Sequence, residues 1–137
     1  MRLILLALAS AALVAASGCG DGATEALELP DGPVAVARAY YEGLTTCDRR
    51  KAAVAFELWE EPLVRDRGSW IDTTVQNCEE NVPRGPRRII GEVMERTPDE
   101  ASVRVTVTWD DGGSVGDRLR LIRTEVGWRI AGYAAVR

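Results

Sequence analysis

The apolar positions of this chain change their period twice, and the changes divide it into three stretches. Residues 3–16 read LILLALASAALVAA, a run with almost no polar interruption, preceded only by Met1 and Arg2. A bilayer span needs roughly 20 apolar residues, so this run is too short to cross one. It has the length and order of a signal-peptide core, with Ser17 and Gly18 supplying the small residues of a cleavage site. Residues 20–32, GDGATEALELPDG, are glycine-rich and acidic and read as a tether. About 12 flexible residues reach roughly 20 Å. Leu27 and Leu29 are the tether's candidates for docking onto whatever follows.

From Pro33 the pattern turns helical. Val36, Ala37, Tyr40, Tyr41 and Leu44 recur at the spacing of one helix face. Asp31 or Gly32 can cap this helix, and proline is tolerated in a first turn. Gly43 and Thr45-Thr46 weaken its end. Asp48 is a cap for a second helix over 49–60, in which Ala52, Phe56, Trp59 and Leu63 step four, three and four. Pro62 stops it, because proline cannot sit in a helix interior. A third helix is expected from residue 69 or 70 to about residue 80, with Ile71, Val75, Cys78 and Val82 on one stripe.

Beyond Pro83 and Pro86 the period becomes two. Residues 87–96 form a first strand, and Thr97-Pro98-Asp99-Glu100 a turn. Over 101–109 the alternation is strict. Val103, Val105, Val107 and Trp109 face one way, and Arg104, Thr106 and Thr108 the other. Asp110-Asp111-Gly112-Gly113 is a hairpin turn. Residues 115–124 form a third strand with Leu119 and Leu121 inward, and Gly127-Trp128-Arg129-Ile130 opens a fourth. One-sided alternation means an antiparallel sheet with one covered face. Three helices before four strands is an α+β order.

Cys19 directly follows the small residues of the leader. Ala16-Ser17-Gly18-Cys19 resembles the lipobox of bacterial lipoproteins, with alanine where that family usually has leucine. The resemblance implies cleavage before Cys19, acylation of its thiol, and a chain divided into a leader (1–18), an acylated cysteine with its tether (19–32) and a domain (33–137). It places the protein outside the cell membrane, held by lipid. Two acyl chains anchor stably where one does not, because each buried CH₂ contributes about 0.8 kcal/mol. The other reading is a plain secretory signal that leaves Cys19 an incidental thiol.

Loss of the leader removes Arg2, so 17 basic and 21 acidic residues become 16 and 21, a formal charge of −5. An acidic domain is a poor nucleic-acid partner, since attraction to phosphate needs concentrated positive charge. The chain has no histidine. That removes the commonest general base and metal ligand and every Ser-His or Cys-His nucleophile. With Cys19 lipidated, Cys47 and Cys78 remain, and an even pair in an oxidising compartment favours a disulfide. The alternatives are two buried free thiols or a metal pair, the latter weak without histidine.

The order of lipobox, tether, helix with Ala39-Tyr40-Tyr41, the Leu44-Thr45-Thr46-Cys47 joint, Cys78 in the third helix and a meander closing on Gly127-Trp128-Arg129-Ile130 resembles a known family. It is similar to small exported lipoproteins with an NTF2-like (cystatin-like cone) domain, common in actinobacteria. The resemblance implies a strongly curved antiparallel sheet wrapping the helices, with a pocket at the mouth of the cone. Tyr40, Tyr41, Trp59, Trp70, Trp109 and Trp128 are then candidates for pocket lining as well as core. Enzymes of that superfamily place an Asp-His or an Asp-Arg-Asp set in the cone. The first needs the histidine this chain lacks. For the second, Asp117 shares the parity of Leu119 and Leu121, and Asp72 lies beside Ile71 at the start of the third helix.

Each acid has a plainer reading: Asp117 at a wet strand end, Asp72 favouring a helix macrodipole. No catalytic residue, metal or cofactor is therefore expected. Arg84, Arg87 and Arg88 form the densest basic cluster, and Arg104, Arg118, Arg120 and Arg129 a possible outer stripe with Glu92 and Glu95 among them. The expectation is a lipid-anchored domain that binds a small ligand or an envelope protein without catalysis. The alternatives are a cone-type isomerase or hydrolase and an envelope protein that dimerises through its sheet. The anchor is checked by membrane fractionation: Cys19→Ala should move the protein to the soluble fraction, and unchanged membrane association would refute lipidation.

Overall fold

The computed structural model describes residues 27–134; the leader, the lipobox with Cys19, and the first part of the tether lie outside them. The order is α1 (Pro33–Thr45), α2 (Arg49–Glu57), α3 (Arg67–Asn81), β1 (Arg87–Arg96), β2 (Glu100–Trp109), β3 (Ser114–Thr124) and β4 (Gly127–Tyr133). The strands form one antiparallel sheet in the order β1-β2-β3-β4. This is the expected α+β architecture. Among the described residues, no helix is long and apolar enough to cross a membrane.

Each helix begins at a local signal, a glycine–proline pair for α1 and a capping aspartate for α2 and α3. Gly32 takes the N-cap of α1 at φ +92°, a conformation that glycine adopts without steric cost, and Pro33 follows at the first helical position. In α2 the Asp48 carboxylate accepts the Lys51 amide at 2.9 Å. Asp66 does the same for Ser69 at 2.9 Å, so α3 starts at Arg67 and not at 69 or 70. Asp72 consequently lies in the second turn, past the first-turn position read from the sequence.

The expected end of α2 at residue 60 is also corrected, to Glu57. The reason is tertiary. Leu58 O accepts the Ile130 amide at 2.7 Å, and Ile130 O accepts the Glu60 amide at 2.9 Å. The backbone at 58–60 thus leaves the helix to pair with the outer edge of β4, making a short parallel bridge at Trp59. Pro62 lies beyond this departure.

The core is the inner face of the sheet closed by α1 and α2. Ala101, Val103, Val105, Val107 and Trp109 of β2 are buried with Leu119 and Leu121 of β3 and Trp128 and Ile130 of β4. Val36, Ala37, Tyr40 and Tyr41 of α1, Ala55 of α2 and Leu58 just past its end cover them. Gly43 lets α1 and α2 approach: a Cβ there would stand 2.4 Å from Ala55 Cβ and 2.5 Å from Lys51 O. A residue that weakens the helix end locally therefore serves the packing. Leu29 rests on the main core and Leu27 on a smaller cluster of Ala52, Ala53 and Ile71, so the end of the tether docks as expected.

Cys47 and Cys78 form a disulfide, with Cα atoms 5.2 Å apart, that fastens α3 to the α1–α2 joint. Cys47 takes φ +58°, the left-handed region, at the turn between the helices. Closing a loop of 31 residues contributes on the order of 3–4 kcal/mol in the chain-entropy description. Register irregularities at Val93/Glu95 and Arg120/Leu121 interrupt the β1–β2 and β3–β4 ladders.

The two faces of β2 set a direct comparison. Val105 is fully buried while Thr106 is partly exposed. Val105→Asp would put an unpaired charge in the core and should abolish folding, whereas Thr106→Asp should change stability by less than about 1 kcal/mol. Thermal melts of the two variants check this; equal melting temperatures would mean the faces are exchanged.

Candidate functional site

A cleft of ≈ 580 Å³ opens between the C-terminal end of α1, one side of α3 and the β2–β3 hairpin. Its apolar wall is Leu44, Val82, Pro83, Trp109 and Val115. Its polar groups include the side chains of Tyr41, Thr45, Thr73, Thr74, Asn77 and Asn81. None of the lining residues carries a charge at neutral pH. Thr73, Asn77 and Asn81 follow at intervals of four, which puts short neutral side chains along one line of α3. That stripe was visible in the sequence and stands out from the charged residues around it, yet apolar periodicity alone passes over it.

Three ties hold the cleft's rim. Tyr41 Oη donates to Asp117 Oδ2 at 2.8 Å, joining α1 to β3. Arg87 Nε donates to Thr45 Oγ1 at 2.9 Å and Arg87 Nη2 donates to Thr46 Oγ1, joining β1 to the last turn of α1. A cation there also suits the negative end of the helix dipole. The Cys47–Cys78 disulfide supplies the third tie and borders an adjoining cavity of ≈ 270 Å³ that shares Thr45, Val82 and Pro83 with the cleft.

The tyrosine pair divides its work. Tyr40 turns inward, its ring edge-on to Trp59 at 5.5 Å between centroids and its hydroxyl 3.1 Å from that of Tyr133. Tyr41 reaches toward Asp117. Burial holds both hydroxyls far above the ordinary tyrosine range, and the bonds to Tyr133 and Asp117 respectively push the same way. In each case the protonated form is the one the fold stabilises.

Of the six aromatics considered for lining, Tyr41 and Trp109 stand on the cleft wall. Tyr40 and Trp128 belong to the core, Trp59 packs at the core's margin beside Tyr40 and Tyr133, and Trp70 packs on Phe56 at 5.4 Å. The indole nitrogens of Trp59 and Trp109 are buried without a hydrogen-bond partner. Of the two acids, Asp117 sits behind Tyr41 at the margin of the cleft, and Asp72 pairs on the surface with Arg49. The structure does not bring Asp72 and Asp117 together with an arginine in the cleft. Among the described residues no group of three acids or cysteines could hold a metal ion.

The arginines resolve into separate duties. Arg87 is the α1 tie, and Arg129 donates to Trp128 O at 2.8 Å and Val126 O at 3.2 Å. Arg118 and Arg120 lie on the outer sheet face beside a cavity of ≈ 430 Å³. Arg118 donates twice to the buried Ser102 hydroxyl, at 3.2 and 2.9 Å, and stands 3.6 Å from Glu95. Arg120 pairs with Glu100 at 3.1 Å. Arg96, the third arginine lining that cavity, lies over the Trp128 ring; of the two acids expected beside the stripe, Glu95 meets Arg118 and Glu92 makes no ion pair among the described residues.

No family model and no curated protein matches the chain. Among solved structures it is similar to a Campylobacter jejuni protein described as an NTF2-like transpeptidase, at 16% identity over 70% of this chain and 94% of that one, with a TM-score of 0.48. It is also similar to a Xanthomonas campestris protein described as a calcium/calmodulin dependent protein kinase II association domain, at 14% identity over 77% and 89% of the two chains, with a TM-score of 0.39. These likenesses concern the course of the chain, and no residue role passes from either protein to this one.

The tyrosines make the fold sensitive to alkali. Their folded pKa values are raised, so the stability they contribute is complete below the unfolded value of 10.0 and is lost as pH rises beyond it. Phenolate absorbance should therefore report Tyr40 and Tyr41 only together with the loss of near-ultraviolet circular dichroism. Ionisation of all three tyrosines with that signal intact would contradict the burial of the pair.

Proposed function

We propose that this chain is an exported, lipid-anchored protein of the NTF2-like (cystatin-like cone) kind, whose domain holds a small uncharged molecule without transforming it. The reading rests on one observation: the cleft beside the β2–β3 hairpin is roomy, mostly apolar and free of ionised side chains. Its volume is within the range of small-molecule sites, and an apolar wall with a few hydroxyl and amide groups fits an amphipathic ligand. A charged ligand would lose its hydration there and find no counter-charge.

Catalysis by proton transfer would need a basic or acidic group within hydrogen-bond reach of the bound molecule. The cleft offers hydroxyls and amides in its place, and the nearest carboxylate considered, Asp117, is engaged by Tyr41. The leader and Cys19 would set the domain at the outer face of the cell membrane, where amphipathic molecules are abundant. Lipid on Cys19 and the short tether would keep the domain close to that surface.

Binding is tested with the neutral fluorophore N-phenyl-1-naphthylamine and, beside it, the anionic 8-anilinonaphthalene-1-sulfonate. The neutral probe should bind and the anion should bind more weakly. Val115 lines the cleft and is 50% exposed, so Val115→Arg should leave the fold intact. It should weaken the neutral probe by about tenfold or more, the equivalent of roughly 1.4 kcal/mol. Equal binding to wild type and Val115→Arg would place the ligand elsewhere and overturn the reading.

A further inference from the structure

The two edges of the sheet are treated differently. At β4 the backbone of 58–60 exchanges two hydrogen bonds with Ile130 and covers part of the edge. At the other end β1 has β2 on one side and, among the described residues, no strand on the other. It is ten residues long. Long open edges are ordinarily protected by proline, a lysine or an inward-pointing charge. Here Pro86 precedes the strand, and the middle of it is Arg88-Ile89-Ile90-Gly91-Glu92.

The outer face of that middle segment follows from the register. Arg88, Ile90 and Glu92 stand opposite Thr108, Thr106 and Arg104, the outward residues of β2. All three are exposed, Ile90 by 50%. Neither Arg88 nor Glu92 makes an ion pair among the described residues. An unpaired cation, an apolar residue and an unpaired anion thus alternate along one face of an open edge. Such a row is its own complement when reversed.

We infer that β1 is the docking edge for a second copy of this chain, pairing antiparallel with its own counterpart about a two-fold axis at Ile90. A two-fold axis perpendicular to the sheet keeps the helices of both copies on one side. It requires directly opposed residues to share a face, and so leaves only registers centred on a residue. Centring on Ile90 sets Arg88 opposite Glu92 of the second copy, twice by symmetry, with the two Ile90 side chains between them. Centring on Arg88 or Glu92 opposes like charges, which is unfavourable. Centring on Ile89 or Gly91 sets Ile90 against a charge. One register alone therefore satisfies both charges and covers the isoleucine. The surface is isologous, as a symmetric dimer needs, and the result would be a continuous sheet of eight strands, twice the four of one copy. It lies apart from the cleft, so the two readings stand or fall separately.

Residue 90 is the test position because the axis sets it beside itself, with Cα atoms about 4.5–5.5 Å apart, within disulfide range. Full-length Ile90→Cys should cross-link to a covalent dimer under mild oxidation. Thr108→Cys, equally outward but on β2, should not. Equal cross-linking at both positions, or none at 90, would overturn the proposal. Charge exchange gives a second, fold-independent readout by sedimentation. Arg88→Glu and Glu92→Arg should each be monomeric alone, and an equal mixture of the two should recover the dimer mass. Sedimentation of the wild type as a monomer, or single variants that dimerise like wild type, would equally refute it.

Discussion

The packing of α1 on the inner row of β2 is the contact on which the other elements depend. Ala101, Val103, Val105, Val107 and Trp109 lie along one face of the strand, and Val36, Ala37, Tyr40 and Tyr41 along one face of the helix. Fully burying a valine or a comparable side chain is worth about 1.5–3 kcal/mol, so these rows dominate the favourable side of folding. The strand's period of two also leaves no freedom of register, since a slip by one residue would send valines to water and threonines to the core. β1 and β3 inherit their registers from β2 by backbone pairing. β4 inherits its own from β3, and the end of α2 from β4.

This chain of dependence explains which features could be read from the sequence. The strands and the start of α1 were legible because alternation and proline placement are local. The Cys47–Cys78 disulfide was legible only through the expectation that Cys19 is lipidated outside the cell, which leaves an even pair of cysteines. The end of α2 was not. Residues 58–60 continue a helical apolar spacing, and only Ile130, seventy residues later, draws their backbone away. The start of α3 slipped for a smaller reason: Asp66 and Ser69 are both good caps, and the aspartate captured the serine's own amide.

The candidate site was legible in part. Parity put Asp117 on the inner side of β3, and the structure keeps it there, opposite Val105. What parity cannot show is the hydroxyl that meets it, because Tyr41 and Asp117 are brought together only by the packing of α1 across the sheet. The adjacent Tyr40 and Tyr41 looked equivalent in sequence. A step of about 100° around the helix sends one into the aromatic cluster with Trp59 and Tyr133 and the other to the cleft. Aromatic content identified the residues that fill space, whereas the cleft's character comes from threonines and asparagines that no apolar pattern singles out.

An open cleft in so small a domain needs its walls fixed by something other than core packing, because its apolar side chains forgo the contacts that collapse would give them. The ties at its rim are of three different kinds and come from three different elements. A disulfide holds α3, a guanidinium on two threonine hydroxyls holds β1, and a phenol–carboxylate bond holds β3. All three end on the C-terminal end of α1 or the two residues beyond it, between Tyr41 and Cys47. That segment carries Gly43, where α2 comes too close for any side chain, so it cannot shift without unpacking the helix pair. The rigid point of the domain and the rim of its cleft are thus the same seven residues, and the opening is maintained by the contacts that hold the helices to the sheet.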